Sequence, residues 1–120
     1  MKKHGLGTSF AHAFDGILAV LKKERSMRIH LLIALLVAAC GFLFRISTSE
    51  WLVCLIFFAL VMGAEAVNTS MEAICDRLSP EPDPKIKLAK DAAAGAVLIC
   101  AVMAAIAGLV IFLPKVIALF

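Results

Sequence analysis

The chain has 120 residues, 62% of them apolar, with a mean hydropathy of +0.99; soluble domains are roughly half apolar. So short a chain forms one domain at most and lacks the volume to hide that surplus from water, so lipid must solvate part of it. The net charge of +3 argues against nucleic acid as a partner, and the four cysteines (Cys40, Cys54, Cys75, Cys100) stand singly, without the CxxC or Cys/His spacing that gathers a metal.

Residues 5–27 read as an amphipathic helix, because Phe10, Phe14, Ile17, Leu18 and Leu21 recur at three- and four-residue spacing. Lys22, Lys23, Arg25 and Arg28 follow, placed to meet anionic headgroups, and Asp15 interrupts the apolar face. No small-residue cleavage site follows, so this is expected to be a helix lying in the membrane surface and not a signal peptide. Ile29 to Ile46 is a run of eighteen residues with one charge, Arg45, at its far end. It is just long enough to cross a bilayer, which takes about 20 residues.

Ser47-Thr48-Ser49-Glu50 is a short polar turn and helix start. Trp51, an interfacial aromatic, opens a second span over about 51–75. Leu78-Ser79-Pro80-Glu81-Pro82-Asp83-Pro84 ends it, since three alternating prolines deny backbone donors and hold the chain extended. Lys85 to Lys90 restarts a helix, and a third apolar span over about 91–113 is stopped by Pro114 and Lys115. The expected protein is all-α and integral to the membrane: one domain over 1–120, a surface helix and three transmembrane helices.

Placing the N-terminus in the cytoplasm puts Lys2, Lys3, Lys22, Lys23, Arg25, Arg28, Arg77, Lys85, Lys87 and Lys90 inside, and leaves only Arg45 and Lys115 outside. The positive-inside rule selects that orientation.

The second span contains GAEAVNTSMEAICDR, in which Glu65, Asn68, Glu72 and Asp76 are spaced by three, four and four. At about 100° per residue these four fall within roughly 80° on one helix face. Counted from Trp51, Glu65 lies about 21 Å and Glu72 about 31 Å along the helix, so the stripe descends from the inner leaflet to the cytoplasmic interface. A carboxylate inside a span costs at least a few kcal/mol and marks a functional site. The bland alternative is a set of acids paired to bases to hold helices together, but no basic residue is expected inside any span to pair with Glu65.

Carboxylates at a water interface can hold Mg²⁺ together with phosphate oxygens. A deeper, desolvated carboxylate can act as general base on a hydroxyl at headgroup depth, and Arg28, Lys87 and Lys90 lie where they could neutralise phosphates. Glu24, before the first span, and Lys90-Asp91, opening the third, sit at the same level as Glu72. Together these are the parts of a phosphoryl transferase, although neither a GxxxxGK[ST] loop nor a kinase glycine-rich loop occurs. A small proton-coupled transporter is the main rival, but its acid should stand alone near mid-bilayer. Three spans close poorly on themselves, so a homo-oligomer with sites between protomers is expected.

Glu65-Ala-Val-Asn-Thr-Ser-Met-Glu72 with Asp76 four residues on, Ala89-Lys90-Asp91-Ala-Ala-Ala-Gly95 and, more loosely, the ERSMRIH run from Glu24 to His30 resemble the prokaryotic diacylglycerol kinase / undecaprenol kinase family. The resemblance implies an intertwined homotrimer that phosphorylates a membrane lipid alcohol, with ATP and Mg²⁺ at the cytoplasmic surface. It implies Glu65 as general base, Asn68 as a catalytic positioning group, and Glu24 and Glu72 as metal-holding acids. It also implies nucleotide contacts from His12, Glu24, Glu72, Glu81, Asp83, Lys90 and Asp91, and a lipid approach lined by Phe10, Phe14, Met27 and Arg28 that leads to Glu65, with Asp76 in support. Gly5 departs from the family, which usually carries an arginine early in the surface helix; Lys3 and His4 lie nearby. The GLVIFLPK ending and the KDAAAGAV segment look more like Gram-positive undecaprenol kinases than Gram-negative diacylglycerol kinases, so undecaprenol is the expected substrate and diacylglycerol the alternative.

Overall fold

The computed structural model describes residues 5–120. Lys2, Lys3 and His4, two of the basic residues counted inside and both neighbours named for Gly5, lie outside the described residues. Four helices follow in order: α1 (Leu6–Lys23), α2 (Arg25–Leu43), α3 (Thr48–Leu78) and α4 (Pro84–Ile117). The last three are long and apolar enough to cross a membrane.

The first helix ends at Lys23 and does not run on to residue 27. Glu24 alone leaves helical geometry, at φ −100° and ψ 118°, and serves both as the C-cap of α1 and as the N-cap of α2. Its N–H donates to the Val20 carbonyl at 2.8 Å, while Arg28 Nη1 donates to the carbonyls of Leu21 and Lys22, each at 2.8 Å. Those are acceptors that the last turn of a helix leaves unpaired. An arginine in the first turn of α2 therefore closes the end of α1 and fixes the corner between them. No residue of α1 is buried, and Phe10 and Phe14 are exposed.

The α2–α3 hairpin is a Schellman turn. Ile46 N–H donates to the Gly41 carbonyl at 3.1 Å and Arg45 N–H to the Phe42 carbonyl at 3.4 Å, with Arg45 left-handed at φ 53°. Gly41 leaves room for Trp51, since a Cβ there would lie 2.6 Å from its ring. The expected polar start of α3 is a complete capping box: Ser47 Oγ accepts from Glu50 N–H at 3.2 Å, and the Glu50 carboxylate accepts from Ser47 N–H at 3.0 Å.

Past the proline-rich loop, Asp83 caps α4 by accepting from the N–H groups of Lys85 and Ile86. Pro84 occupies the first turn, where its missing donor is harmless. The helix does not stop at residue 113 but runs through Pro114 to Ile117. So near the C-terminus a proline forfeits one hydrogen bond, and Lys115 Nζ restrains the region by donating to the Ile111 carbonyl at 2.9 Å and to Glu50 Oε2 at 2.6 Å.

Helix α3 is the central element: α4 packs along it most extensively, α2 lies against it, and α1 touches α2 and α3. Among the described residues the buried set is small, with Met27, Gly41, Ile46, Val61, Cys75 and Ile111 joined by the polar Glu65 and Thr69. Between α2, α3 and α4 an apolar groove of about 520 Å³ opens, lined among others by His30, Ala34, Phe57, Ala104 and Gly108.

Candidate active site

The stripe on α3 becomes progressively more exposed toward the cytoplasmic end of the expected topology. Glu65 is 4% exposed, Asn68 and Glu72 are half-buried, and Asp76 is exposed. Val61, Glu65 and Thr69 recur every four residues as the buried line of this segment, so Glu65 belongs to the packed face and not to a solvated one.

Both oxygens of Glu65 are partnered, and both partners come from α2. His30 Nε2 lies 3.2 Å from Oε1, and Ser26 Oγ donates to Oε2 at 3.1 Å. The expectation that no base inside a span would meet Glu65 is therefore corrected. His30 does so, an imidazole set among the apolar residues of α2.

One turn on, Asn68 Nδ2 donates to Glu72 Oε1 at 3.3 Å, while its Oδ1 is buried without a partner. A buried acceptor left unmade costs about 1–3 kcal/mol, so Asn68 Oδ1 is an open acceptor beside Glu72. Among the described residues no three His, Cys, Asp or Glu side chains form a metal cage. Mg²⁺ does not require one, because one or two carboxylates suffice when phosphate oxygens and water complete its octahedron. The Glu72 carboxylate and Asn68 Oδ1 are hard oxygen donors, so the residues present fit that ion.

The remaining expected site residues are spread around this centre. Glu24 is half-buried at the α1–α2 corner and His12 lies on the exposed α1. Met27 is 3% exposed, so it faces the interior, and Arg28 is engaged through Nη1 with the α1 carbonyls. Lys90 Nζ bonds Asp76 Oδ1 at 2.7 Å, joining α4 to α3, while Lys87 pairs with Asp91 one turn along α4. Glu81 is exposed, its carbonyl accepting from Ser79 Oγ at 2.7 Å, and Asp83 is the α4 cap. The sequence reading includes Ser26 and His30 only within the ERSMRIH run and gives neither a role. Their spacing of four on one helix was the available signal.

The chain matches the family model described as prokaryotic diacylglycerol kinase over residues 11–112. It is 41% identical over 107 residues to an undecaprenol kinase of Bacillus subtilis, covering 89% of this chain and 87% of that one. It is 32% identical over 112 residues to a diacylglycerol kinase of a Synechocystis species, covering 92% of this chain and 64% of the relative. With a buried carboxylate, an orphaned amide oxygen and flanking ion pairs on three apolar helices, the chain belongs to the prokaryotic diacylglycerol kinase family and is a lipid kinase.

Proposed function

We propose that this protein transfers the γ-phosphoryl group of ATP to the primary hydroxyl of undecaprenol at the cytoplasmic face of the bacterial inner membrane. The observation that carries this reading is Glu65, a carboxylate 4% exposed and held by both oxygens. Such a group is placed to accept a proton from a hydroxyl at headgroup depth. As the lipid oxygen bonds to the γ-phosphorus, its proton passes to Glu65 and the bond from that phosphorus to the ADP oxygen breaks.

Glu24 and Glu72, beside the open Oδ1 of Asn68, would hold Mg²⁺, which when bound supplies charge neutralisation for the phosphates. Asn68 orients the reacting groups through its open Oδ1. Lys90, Asp91, His12, Glu81 and Asp83 contact the nucleotide, with Lys90 exchanging its Asp76 partner for phosphate. Phe10 and Phe14, on the exposed face of α1, border the lipid approach together with Met27 and Arg28, and α1 lies in the membrane surface. The basic residues of α1, of the first turn of α2, of the end of α3 and of the start of α4 support a cytoplasmic N-terminus and a cytoplasmic site. The single domain 1–120 assembles as a homotrimer, a reading supported by its sparse core and open apolar groove.

Undecaprenol is favoured over diacylglycerol by the Bacillus relative. The test is transfer of radiolabel from ATP by the purified protein, offered undecaprenol and diacylglycerol in parallel. Labelled undecaprenyl phosphate is expected. Label only in phosphatidic acid would replace the substrate, and no labelled lipid from either arm would overturn the kinase reading.

A further inference from the structure

We infer that His30 is a positioning residue for the transfer step. It holds the Glu65 carboxylate, together with Ser26, in the orientation that accepts the lipid proton. The inference rests on the reading of Glu65 as the base.

Three observations carry it. The two contacts fall on different oxygens, His30 Nε2 on Oε1 at 3.2 Å and Ser26 Oγ on Oε2 at 3.1 Å. Two fixed points on two oxygens define the carboxylate plane, whereas one contact would leave the group free to turn about its last torsion. Ser26 and His30 are also one turn apart on the same helix, so α2 presents both donors from one rigid element. Finally, the His30 side chain is 22% exposed and lines the apolar groove, while the Glu65 side chain is 5% exposed. The imidazole is thus the polar group that a carboxylate packed against apolar helices meets at Oε1.

With a proton on Nε2 the imidazole can donate to Oε1 across this 3.2 Å approach. Each carboxylate oxygen has two lone pairs and each is used once, so the remaining lone pair on either oxygen is open to the substrate hydroxyl. His30 itself does not touch the reacting atoms. It acts through Glu65, and it should change turnover while leaving the nucleotide site as it is.

The experiment compares His30→Gln, His30→Asn and Ser26→Ala in the full-length protein in vesicles, with Glu65→Gln as a reference. A glutamine amide nitrogen can occupy the place of Nε2, while an asparagine amide nitrogen falls near Nδ1 and short of Oε1. His30→Gln is expected to keep kcat within about fivefold. His30→Asn should lower kcat by about 10- to 100-fold, as misplacement of a catalytic group by about an ångström does. The KM for ATP should stay within about twofold in both, and Ser26→Ala should lower kcat less than His30→Asn does, since the hydroxyl fixes only Oε2. Both His30 variants are polar and differ from each other by one methylene, so the contrast does not depend on a leucine or alanine variant folding.

Equal kcat for the Gln and Asn variants would overturn the inference, as would a loss seen only in the KM for ATP. If Glu65→Gln is inactive while His30→Asn turns over normally, only the role of His30 fails. If Glu65→Gln keeps full turnover, the base assignment fails first and the inference with it.

Discussion

Replacing Gly41 by alanine tests the hairpin that joins the first two spans. A Cβ built there would lie 2.6 Å and 2.8 Å from Cη2 and Cζ2 of Trp51 and 3.1 Å from Cδ1 of Ile46. Carbon atoms in contact prefer about 3.5–4.0 Å, so the indole must retreat by about 1 Å. It cannot do so freely, because the Phe42 ring stands 4.8 Å away between centroids and Ile46 is buried. Overpacking of this kind costs about 1–3 kcal/mol, and a disturbed aromatic pair adds about 0.5–1.5 kcal/mol. Alanine returns about 1 kcal/mol of helix propensity. The expected net loss is therefore about 0.5–3.5 kcal/mol, with a midpoint of about 2 kcal/mol. Trp51 is the sole tryptophan, so its fluorescence reports this site alone. Unfolding of the variant in mixed micelles by detergent titration, followed at that emission, should show the loss together with a shifted native spectrum. Turnover of the folded fraction should be unchanged, because Gly41 lies eleven residues, about 16 Å, along α2 from His30. A variant as stable as the parent with an unshifted spectrum would refute the packing argument.

Two further substitutions probe local geometry. Arg45 holds a left-handed conformation at φ 53° with a Cβ that resists it, so Arg45→Gly should stabilise the hairpin by about 1 kcal/mol in the same titration. Asp83→Ala removes acceptors from two N–H groups at the start of α4. It should weaken that turn by about 1 kcal/mol, read as faster hydrogen exchange at Lys85 and Ile86. If the KM for ATP rises as well, the same carboxylate also serves the nucleotide.

Hydropathy carried the helical class and the three spans because apolar runs of that length have few other destinations. The capping box at Ser47 and Glu50 was legible for the same local reason, both partners lying within one turn. The corner at Glu24 was not, since a single extended residue between two helices leaves no mark on a periodicity read over ten or more positions. Pro114 misled in the opposite sense: a proline rule made for helix interiors was applied where only one hydrogen bond was at stake. The α3 stripe could be read because its spacing is a property of one helix. Its pairing with His30 depends on how α2 and α3 are rotated against each other, across a separation of 35 residues. Periodicity within either helix alone does not determine that rotation.

One residue separates the helix proposed to lie along the membrane from the helix that crosses it. Were Glu24 to take helical dihedrals, α1 and α2 would fuse into a single rod of about 57 Å, and Phe10 and Phe14 would swing out of the bilayer plane. Alanine is the strongest helix former and glutamine closely matches glutamate. Glu24→Ala thus changes two things at once, removing a carboxylate and easing the corner toward straightening. Glu24→Gln changes the charge alone, so the comparison of the two separates the acid's chemistry from its architecture.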